Sequence, residues 1–183
     1  MIPGEGRVLE LHRKYGSNEI LIGHCRTVAR VANILAAEME SQGKSVDREL
    51  VNAGALLHDI GRNRIQTVRH GLEGAELLRG EGVDQRVVEE VRKHVGAGLS
   101  AEEASSLGLP PYDYIPRTVE ERIVCFADKM VDNMNVRPFD AEVQRFAKKG
   151  HDVQRLLALK KSLEEDLGED PEKVVLDKIK ESQ

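Results

Sequence analysis

The chain has 183 residues, of which 40% are hydrophobic and 32% are charged, and its formal net charge is −5. This length and composition are typical of one ordinary globular domain with a core of its own. Acidic and basic residues are interspersed, and the chain has three Phe, three Tyr and no Trp. The composition therefore argues against a strong nucleic-acid footprint, because such a footprint would need a basic face or aromatic platforms for base stacking.

The sequence gives no sign of a membrane or secreted protein. No uninterrupted apolar run approaches the roughly 20 residues of a membrane span, and no signal peptide begins at Met1. We therefore expect a cytoplasmic protein without a membrane partner. Cys25 and Cys125 belong to no paired-cysteine motif, so both are expected to be buried, reduced thiols.

A 3.6-residue hydrophobic period dominates the first half of the chain and predicts helices. A short stripe from Val8 to Tyr15 comes first, followed by a long helix that Ser17 caps and that ends near Gly43. The next helix starts at Asp47. An arginine-rich loop follows it. Two further helical stretches are predicted, one at 72–78 and one that starts after Asp84 and carries an apolar stripe from Val87 to Val95.

The second half continues the helical pattern. Two capping boxes, Ser100 with Glu103 and Thr118 with Glu121, mark the starts of two helices. The stretch 141–167 resembles one broken helix, and a last helix is expected to begin at Asp170 and Pro171. No period-2 run is long enough to predict a strand, so the fold class is all-α.

The most informative segment is His58-Asp59-Ile60-Gly61, which follows the apolar helical run 51–57. At a helix end, two adjacent side chains need not point about 100° apart, so an imidazole and a carboxylate can reach one metal ion. A His-Asp pair alone is a weak signal. Four further residues in helical contexts strengthen it: His24, His70, His94 and Asp128.

His24 and Asp128 are predicted to point inward. His24 shares a helix face with Ile20 and Val28, and a histidine in such a place can equally be a hydrogen-bonded core residue. Asp128 lies on an apolar stripe, where a carboxylate is costly unless it is paired or bound to a metal. Lys129 and Arg122 do not share the helix face of Asp128, so no local salt bridge is expected to offset that cost.

The order His24, His58-Asp59, Asp128 resembles the HD superfamily of metal-dependent phosphohydrolases, and His58-Asp59-Ile60-Gly61 resembles its HDIG subtype. The resemblance covers about Ile20 to Asn133. It implies an HD-domain helical bundle in which these four residues bind a divalent metal. We expect a single domain with an HD core at about 17–134 and a C-terminal helical extension at 135–183, whose role stays open between dimer contacts and a lid.

The resemblance also bears on a second metal. Family members with two more histidines between the His-Asp pair and the last Asp hold two ions, and His70 and His94 occupy that part of this chain. The alternative is that both are partly buried structural histidines. Gly74, one turn after His70, is expected to let another segment approach its helix closely.

Two cations are candidate substrate contacts. Arg62 and Lys129 lie next to expected ligands, and a phosphate ester needs cationic partners for its oxygens. Lys129 could instead extend to solvent.

Together these features predict a metal-dependent phosphohydrolase acting on a nucleotide or another small phosphate ester, with Asp59 as a catalytic residue that could bridge two ions. Histidine with carboxylate suits Mn, Fe, Co, Ni or Zn, as one or two ions. The alternative is a non-catalytic HD module that binds a nucleotide or a protein partner. A homo-oligomer is possible, and a third hypothesis is that the histidines are structural.

Overall fold

The structure is a computed structural model that describes residues 1–182. Its α-helices follow one another in chain order: α1 (Glu5–Lys14), α2 (Glu19–Ser41), α3 (Arg48–Leu57), α4 (His70–Gly80), α5 (Gln85–Lys93), α6 (Ala101–Ser106), α7 (Val119–Lys129), α8 (Phe139–Lys148), α9 (Gln154–Leu167) and α10 (Pro171–Glu181). A 3-10 turn, Ile60–Asn63, lies between α3 and α4. The all-α prediction is confirmed.

Several predicted helix boundaries hold because the capping side chains make their bonds. The Asp47 carboxylate accepts the backbone N–H of Leu50, and both predicted capping boxes are formed. The cap of α2 was predicted one residue too early. Asn18 accepts the N–H of Leu21, because the Ser17 hydroxyl is engaged elsewhere, with the ring of His12 at 2.7 Å.

Two local features differ from the helical prediction. The stretch 141–167 consists of two helices, α8 and α9, separated by a segment that contains Gly150 at φ 75°. A short antiparallel hairpin follows α7, with β1 (Val131–Asp132) paired to β2 (Asn135–Val136). Strands of two residues carry too little alternation to be recognised from sequence.

Helix α2 runs through the core and packs mainly against α3 and α7. Val28, Val31 and Leu35 are fully buried along it. By length and composition alone, α2 is apolar enough to cross a membrane, which departs from the expectation that no segment would be. Eight of its residues are buried in the helical core, which accounts for part of its apolar composition.

The 3-10 turn packs onto α4 through two glycines. A Cβ at Gly61 would lie 2.0 Å from the His70 carbonyl oxygen and 2.5 Å from the Gly74 nitrogen, and a Cβ at Gly74 would lie 3.2 Å from the Gly61 nitrogen. Only residues without side chains allow this approach. The predicted close contact at Gly74 is therefore present, and it seats the His58-Asp59 segment against the helix that begins with His70.

The C-terminal extension packs on the same core as the preceding helices. Leu156 and Leu163 of α9 and Val175 of α10 are buried in one apolar cluster with Val28 and Phe126. At the start of α8, Phe139 is fully buried and stacks on Phe126 with ring centroids 4.6 Å apart. The extension is thereby fixed against α7, which carries Asp128.

Candidate metal centre

Six ligand candidates that span more than a hundred positions in sequence meet between the helices. His24 lies in the second turn of α2, His58 and Asp59 directly follow α3, and Asp128 lies near the end of α7. The two remaining candidates are His70, which begins α4, and His94, which follows α5.

His24, His58, Asp59 and Asp128 form the first group of potential ligands. The Asp128 Oδ1 atom lies 3.2 Å from His24 Nε2 and 3.3 Å from His58 Nε2. Asp59 Oδ2 lies 3.8 Å from His24 Nε2 and 3.7 Å from His58 Nε2. Each of these two histidine nitrogens thus lies within 4 Å of an oxygen from both carboxylates, which brings together the nitrogen and oxygen donors that a divalent ion binds.

His70 and His94 form the second group, with Asp59 as the shared member. Asp59 Oδ1 lies 3.1 Å from His70 Nε2 and 3.3 Å from His94 Nε2. The carboxylate therefore turns one oxygen toward each pair of histidines. The ligand atoms of His24, His58 and Asp59 lie within 4.8 Å of one another, and so do those of Asp59, His70 and His94.

The protonation of the four imidazoles follows from their Nδ1 contacts. Each Nδ1 lies against a backbone carbonyl oxygen, which can only accept, so each Nδ1 donates a proton. For His24, His58, His70 and His94 in turn, the acceptors are Asn133 at 2.8 Å, Ala55 at 2.8 Å, Thr67 at 2.7 Å and Val91 at 2.7 Å. These bonds fix the ring orientations, and in the neutral rings they leave Nε2 with a lone pair for a metal.

In the described part of the chain, several donor atoms of the cluster have no hydrogen bond to satisfy them, and two bound metal ions would satisfy them. His70 Nε2 and His94 Nε2 lie 2.9 Å apart, so in the neutral rings two lone pairs face each other without a proton between them. Among residues 1–182, His58 Nε2 and Asp59 Oδ1 are buried and have no hydrogen-bond partner. Buried polar atoms in native proteins are nearly always satisfied, and a cation bound by each group would satisfy all four atoms.

Burial and charge within the cluster keep Asp59 and His94 in the forms that bind metals. Burial opposes the ionisation of Asp59, yet the imidazole of His58 and the contacts of His70 and His94 hold the pKa of that carboxyl well below its usual range. Burial, together with the neighbouring imidazoles of His58 and His70, lowers the pKa of His94 to about 4, although Asp59 opposes the shift. At neutral pH, Asp59 is therefore an anion and His94 is neutral.

Lys129 was not expected to pair with Asp128, and this prediction is wrong. The Lys129 ammonium bonds the Asp128 Oδ2 atom and the carbonyl oxygen of His94 at 3.2 Å. Burial opposes the ionisation of Asp128, but the Lys129 ammonium and the two histidines hold its pKa well below the usual range. The long lysine stem turns back at the last residue of α7, where no further helical turn obstructs it.

Arg62 lies at the edge of the cluster and is bonded to Asp59. Its Nε donates to Asp59 Oδ2 at 2.6 Å, and its side chain is 35% exposed at the edge of the cluster. Lys129 is 8% exposed. Of these two cations, Arg62 has more freedom to reach a bound substrate.

The remaining histidines and cysteines lie outside the cluster. His12 is buried and its Nε2 donates to the Leu56 carbonyl, and His151 is exposed. Both cysteines are free and buried, as predicted. The sequence missed Asn133, whose carbonyl orients His24 and whose φ is 54°. Asparagine tolerates a left-handed turn, but such a signal does not identify a ligand-orienting carbonyl.

The cluster opens into a cleft of about 1080 Å³. Among the residues that line it are His24, Asp59, His70, His94 and Asp128. Exposed apolar side chains of Ile20, Val68 and Leu107 lie along the same cleft. Its far part is formed by α8 and the start of α9. The volume is sufficient for a nucleotide-sized ligand.

Comparison with known proteins finds relatives of the segment that carries the six ligand candidates. A family model described as "HD domain" matches residues 21–132, close to the predicted extent of 20–133. The chain is 41% identical over 95% of its length to a tRNA (cytidine(56)-2'-O)-methyltransferase of Thermoplasma volcanium, and it spans about half, 51%, of that protein.

Two further matches are shorter or more distant. The chain is 38% identical to a ribonuclease Y of Acidothermus cellulolyticus over 47% of its own length and 16% of that protein. The crystal structure of the HD domain of the L. monocytogenes phosphodiesterase PgpH superposes with a TM-score of 0.52 at 17% identity, covering 88% of this chain and 97% of that one. This superposition supports the helical fold.

Proposed function

Because the chain belongs to the HD-domain family, we propose that it is a metal-dependent phosphohydrolase acting on a nucleotide or another small phosphate ester. The observation that carries this proposal is the geometry around Asp59. One of its oxygens faces His24 and His58, and the other faces His70 and His94. A bridging carboxylate between two groups of imidazoles is suited to two metal ions that act on one phosphate.

The chain would supply the ligands, their orientation and one substrate contact. His24, His58, Asp59 and Asp128 would hold one divalent ion, and Asp59, His70 and His94 the other. Nitrogen and carboxylate donors favour Mn, Fe, Co, Ni or Zn. When bound, such ions polarise a phosphoryl oxygen and lower the pKa of a water ligand toward about 7.

Arg62 would bind a non-bridging oxygen of the phosphate. Its guanidinium already lies at the edge of the cluster through Asp59, and a planar fork suits a phosphate better than a point charge. Arg62→Ala should then raise KM without changing the metal content, and Arg62→Lys should recover part of the loss. Unchanged KM in both variants would leave Arg62 with its structural bond to Asp59 alone.

Hydrolysis by the metal-loaded protein tests the proposal. Protein purified without chelator and loaded with each candidate metal is assayed with p-nitrophenyl phosphate, bis(p-nitrophenyl) phosphate and a nucleotide panel. Asp59→Asn should lose metal and hydrolysis together, whereas Asp132→Asn, an exposed acid in the same cleft, should keep both. Tight nucleotide binding without turnover by a fully loaded protein would favour a non-catalytic binding module.

RNA is a second candidate substrate. The relatives named as a tRNA methyltransferase and as a ribonuclease support it, although the composition of this chain does not favour extended nucleic-acid contacts. A short oligoribonucleotide therefore belongs in the panel. Cleavage of the oligoribonucleotide with no turnover of mononucleotides would select RNA.

A further inference from the structure

One wall of the cleft is formed by residues beyond the HD-domain match. Pro138, Ala141, Arg145 and Lys149 line it from α8 and its C-terminal end. The spacing of three to four residues puts these positions on one face of the helix. Glu142 and Phe146 of the same helix also line the cleft. Two cations against one carboxylate leave this wall with a net positive charge toward the same cleft as the metal cluster.

Helix α8 is fully buried only at its start, while Val143 and Phe146 farther along it pack on the core and stay partly buried. Phe139 is fully buried and stacks on Phe126, which precedes Asp128 by two residues. The backbone N–H of Phe139 donates to the Glu172 carboxylate at 3.1 Å. The residues of α8 after Phe139 are half-buried or exposed. The helix start is thus fixed relative to the metal cluster, while its cationic face borders the open cleft.

Arg145 is available to a ligand although it already has a partner. Its guanidinium pairs with Glu142 through Nε at 2.7 Å and Nη2 at 2.5 Å, and the side chain is 58% exposed. An exposed pair of this kind contributes about 0–1 kcal/mol, so a phosphate can compete for it. The bond to Glu142 raises the pKa of Arg145, and the carboxylates of Asp132 and Asp128 add to that effect, so the guanidinium lies within the field of the metal cluster.

Lys149 lies one turn beyond Arg145 and is exposed in the same cleft. Arg155, by contrast, is engaged structurally, because it donates to the Gly98 carbonyl at 2.9 Å and pairs with Glu103. Of the cations that line the cleft from α8 and its C-terminal end, Arg145 and Lys149 can turn to a ligand without breaking a link between elements. Guanidinium and ammonium groups at neighbouring positions are typical of phosphate recognition.

We propose that Arg145 and Lys149 form a second phosphate-binding subsite, so that the chain prefers ligands with a second phosphoryl group beyond the one at the metal cluster. This inference rests on the proposed function, because the metal cluster is taken to hold the first phosphate. It also gives the C-terminal extension a role: the extension would select substrates.

Equilibrium binding to inert ligands tests the subsite without hydrolysis. Manganese-loaded protein is titrated with propane-1,3-bisphosphonate and with propylphosphonate, whose C–P bonds are not hydrolysed. The wild type should bind the bisphosphonate about tenfold more tightly. Arg145→Ala and Lys149→Ala should each lose most of that preference while keeping the metal content.

Lys148→Ala is the matched control, because Lys148 is an exposed neighbour on α8 that is not among the described residues lining the cleft. It should keep the full preference. An equal loss in Lys148→Ala and Lys149→Ala would mean that the lysines act only by stabilising the helix end, and the subsite would be refuted. A preference that survives in both Arg145→Ala and Lys149→Ala, or its absence in the wild type, would refute it as well.

Turnover then identifies the source of the second phosphoryl group. The gain in kcat/KM from a 5'-phosphate is measured as pApA against ApA, and the gain from a pyrophosphate as ADP against AMP. A gain confined to the first comparison indicates a nucleotide chain, and a gain confined to the second indicates a nucleoside diphosphate. If no substrate is hydrolysed but the bisphosphonate preference depends on Arg145 and Lys149, the hydrolase is refuted and the subsite stands.

Discussion

Lys129 contacts two potential metal ligands at once, and we therefore expect it to orient these ligands. It bonds Asp128 Oδ2 and the His94 carbonyl, so it fixes which Asp128 oxygen turns toward His24 and His58. Lys129→Met should weaken manganese affinity about 10- to 100-fold, as is usual for groups that orient ligands, and Lys129→Arg should retain part of it. Calorimetric titration of chelator-stripped protein measures the change.

The same two variants separate positioning from substrate binding. If Lys129 acts through Asp128, KM at saturating metal should change little in either variant. Unchanged metal affinity combined with a raised KM would instead make Lys129 a direct contact of the substrate phosphate.

Glu90 provides a pH-dependent contribution to stability away from the metal cluster. Within residues 1–182, both of its carboxyl oxygens are buried without a hydrogen-bond partner. Burial, together with Glu120, Glu121 and Asp47, raises its pKa well above the usual 4.5, and Arg86 offsets little of this. The folded protein therefore holds the Glu90 proton more tightly than the unfolded chain does.

The sign of the effect follows from that difference. The stabilisation is fully present below pH 4.5 and is lost as the pH rises toward the folded-state pKa, at up to about 1.4 kcal/mol per pH unit. Relative to Glu90→Gln, the wild type should lose free energy of unfolding as the pH rises. Urea unfolding from pH 4 to 8 measures this, with Glu49→Gln on the exposed side of α3 as the control. Parallel profiles for the wild type and Glu90→Gln would contradict it.

The individual site residues that could be predicted from the sequence are those whose positions follow the helical hydrophobic period. Histidines and a carboxylate on inward positions of amphipathic helices are visible in the order of residues. The bond from Lys129 to Asp128 was not predictable, because a flexible lysine stem has many rotamers and the choice depends on the end of the helix. The carbonyl of Asn133 was not predictable either, since a backbone acceptor is present at every position.

Between elements, the contact of the 3-10 turn with α4 controls the distance between Asp59 and His70. Gly61→Ala should place a Cβ 2.0 Å from the His70 carbonyl, which forces backbone atoms apart. Overpacking of this kind costs about 1–3 kcal/mol or more, and the shift should also reduce metal content. Thermal unfolding and metal analysis of the same preparation measure both effects.

Gly80→Ala is the control for that variant. Gly80 is the last residue of α4, the helix that the 3-10 turn contacts, and no atom of residues 1–182, apart from its chain neighbours and the backbone of its own helix, lies within 4 Å of a Cβ placed there. It should keep the metal content and gain up to about 1 kcal/mol of stability. Normal metal content and stability in Gly61→Ala would show that the 3-10 turn does not depend on this close approach.

Helix periodicity and capping residues predicted most elements, since both are local properties of the chain. The exceptions have physical reasons. The hairpin after α7 is too short for an alternating pattern, and the break between α8 and α9 depends on a left-handed glycine in a charged stretch. That α8 lines the cleft could not be predicted, because its position depends on the stacking of Phe139 on Phe126, which is a tertiary contact.

For the molecule as a whole, metal binding should contribute to stability. The ligands come from α2, α4, α7 and the segments after α3 and α5, so bound ions would join elements that are far apart in sequence. An ion at 100 times its Kd stabilises the folded state by about 2.7 kcal/mol, which corresponds to about 5–11 °C in Tm for a chain of this size. Chelation should lower the Tm of the wild type by that order and leave Asp59→Ala unaffected. An equal response in both would place the stabilising ion elsewhere.

The most direct test of the dinuclear centre is the number of ions that each chain binds. Protein saturated with manganese and freed of excess metal should contain two ions per chain by elemental analysis. The double variant His70→Ala/His94→Ala should contain one, because the group of His24, His58, Asp59 and Asp128 is left complete. A wild-type value of one that the double variant does not change would contradict the account and leave His70 and His94 as structural residues.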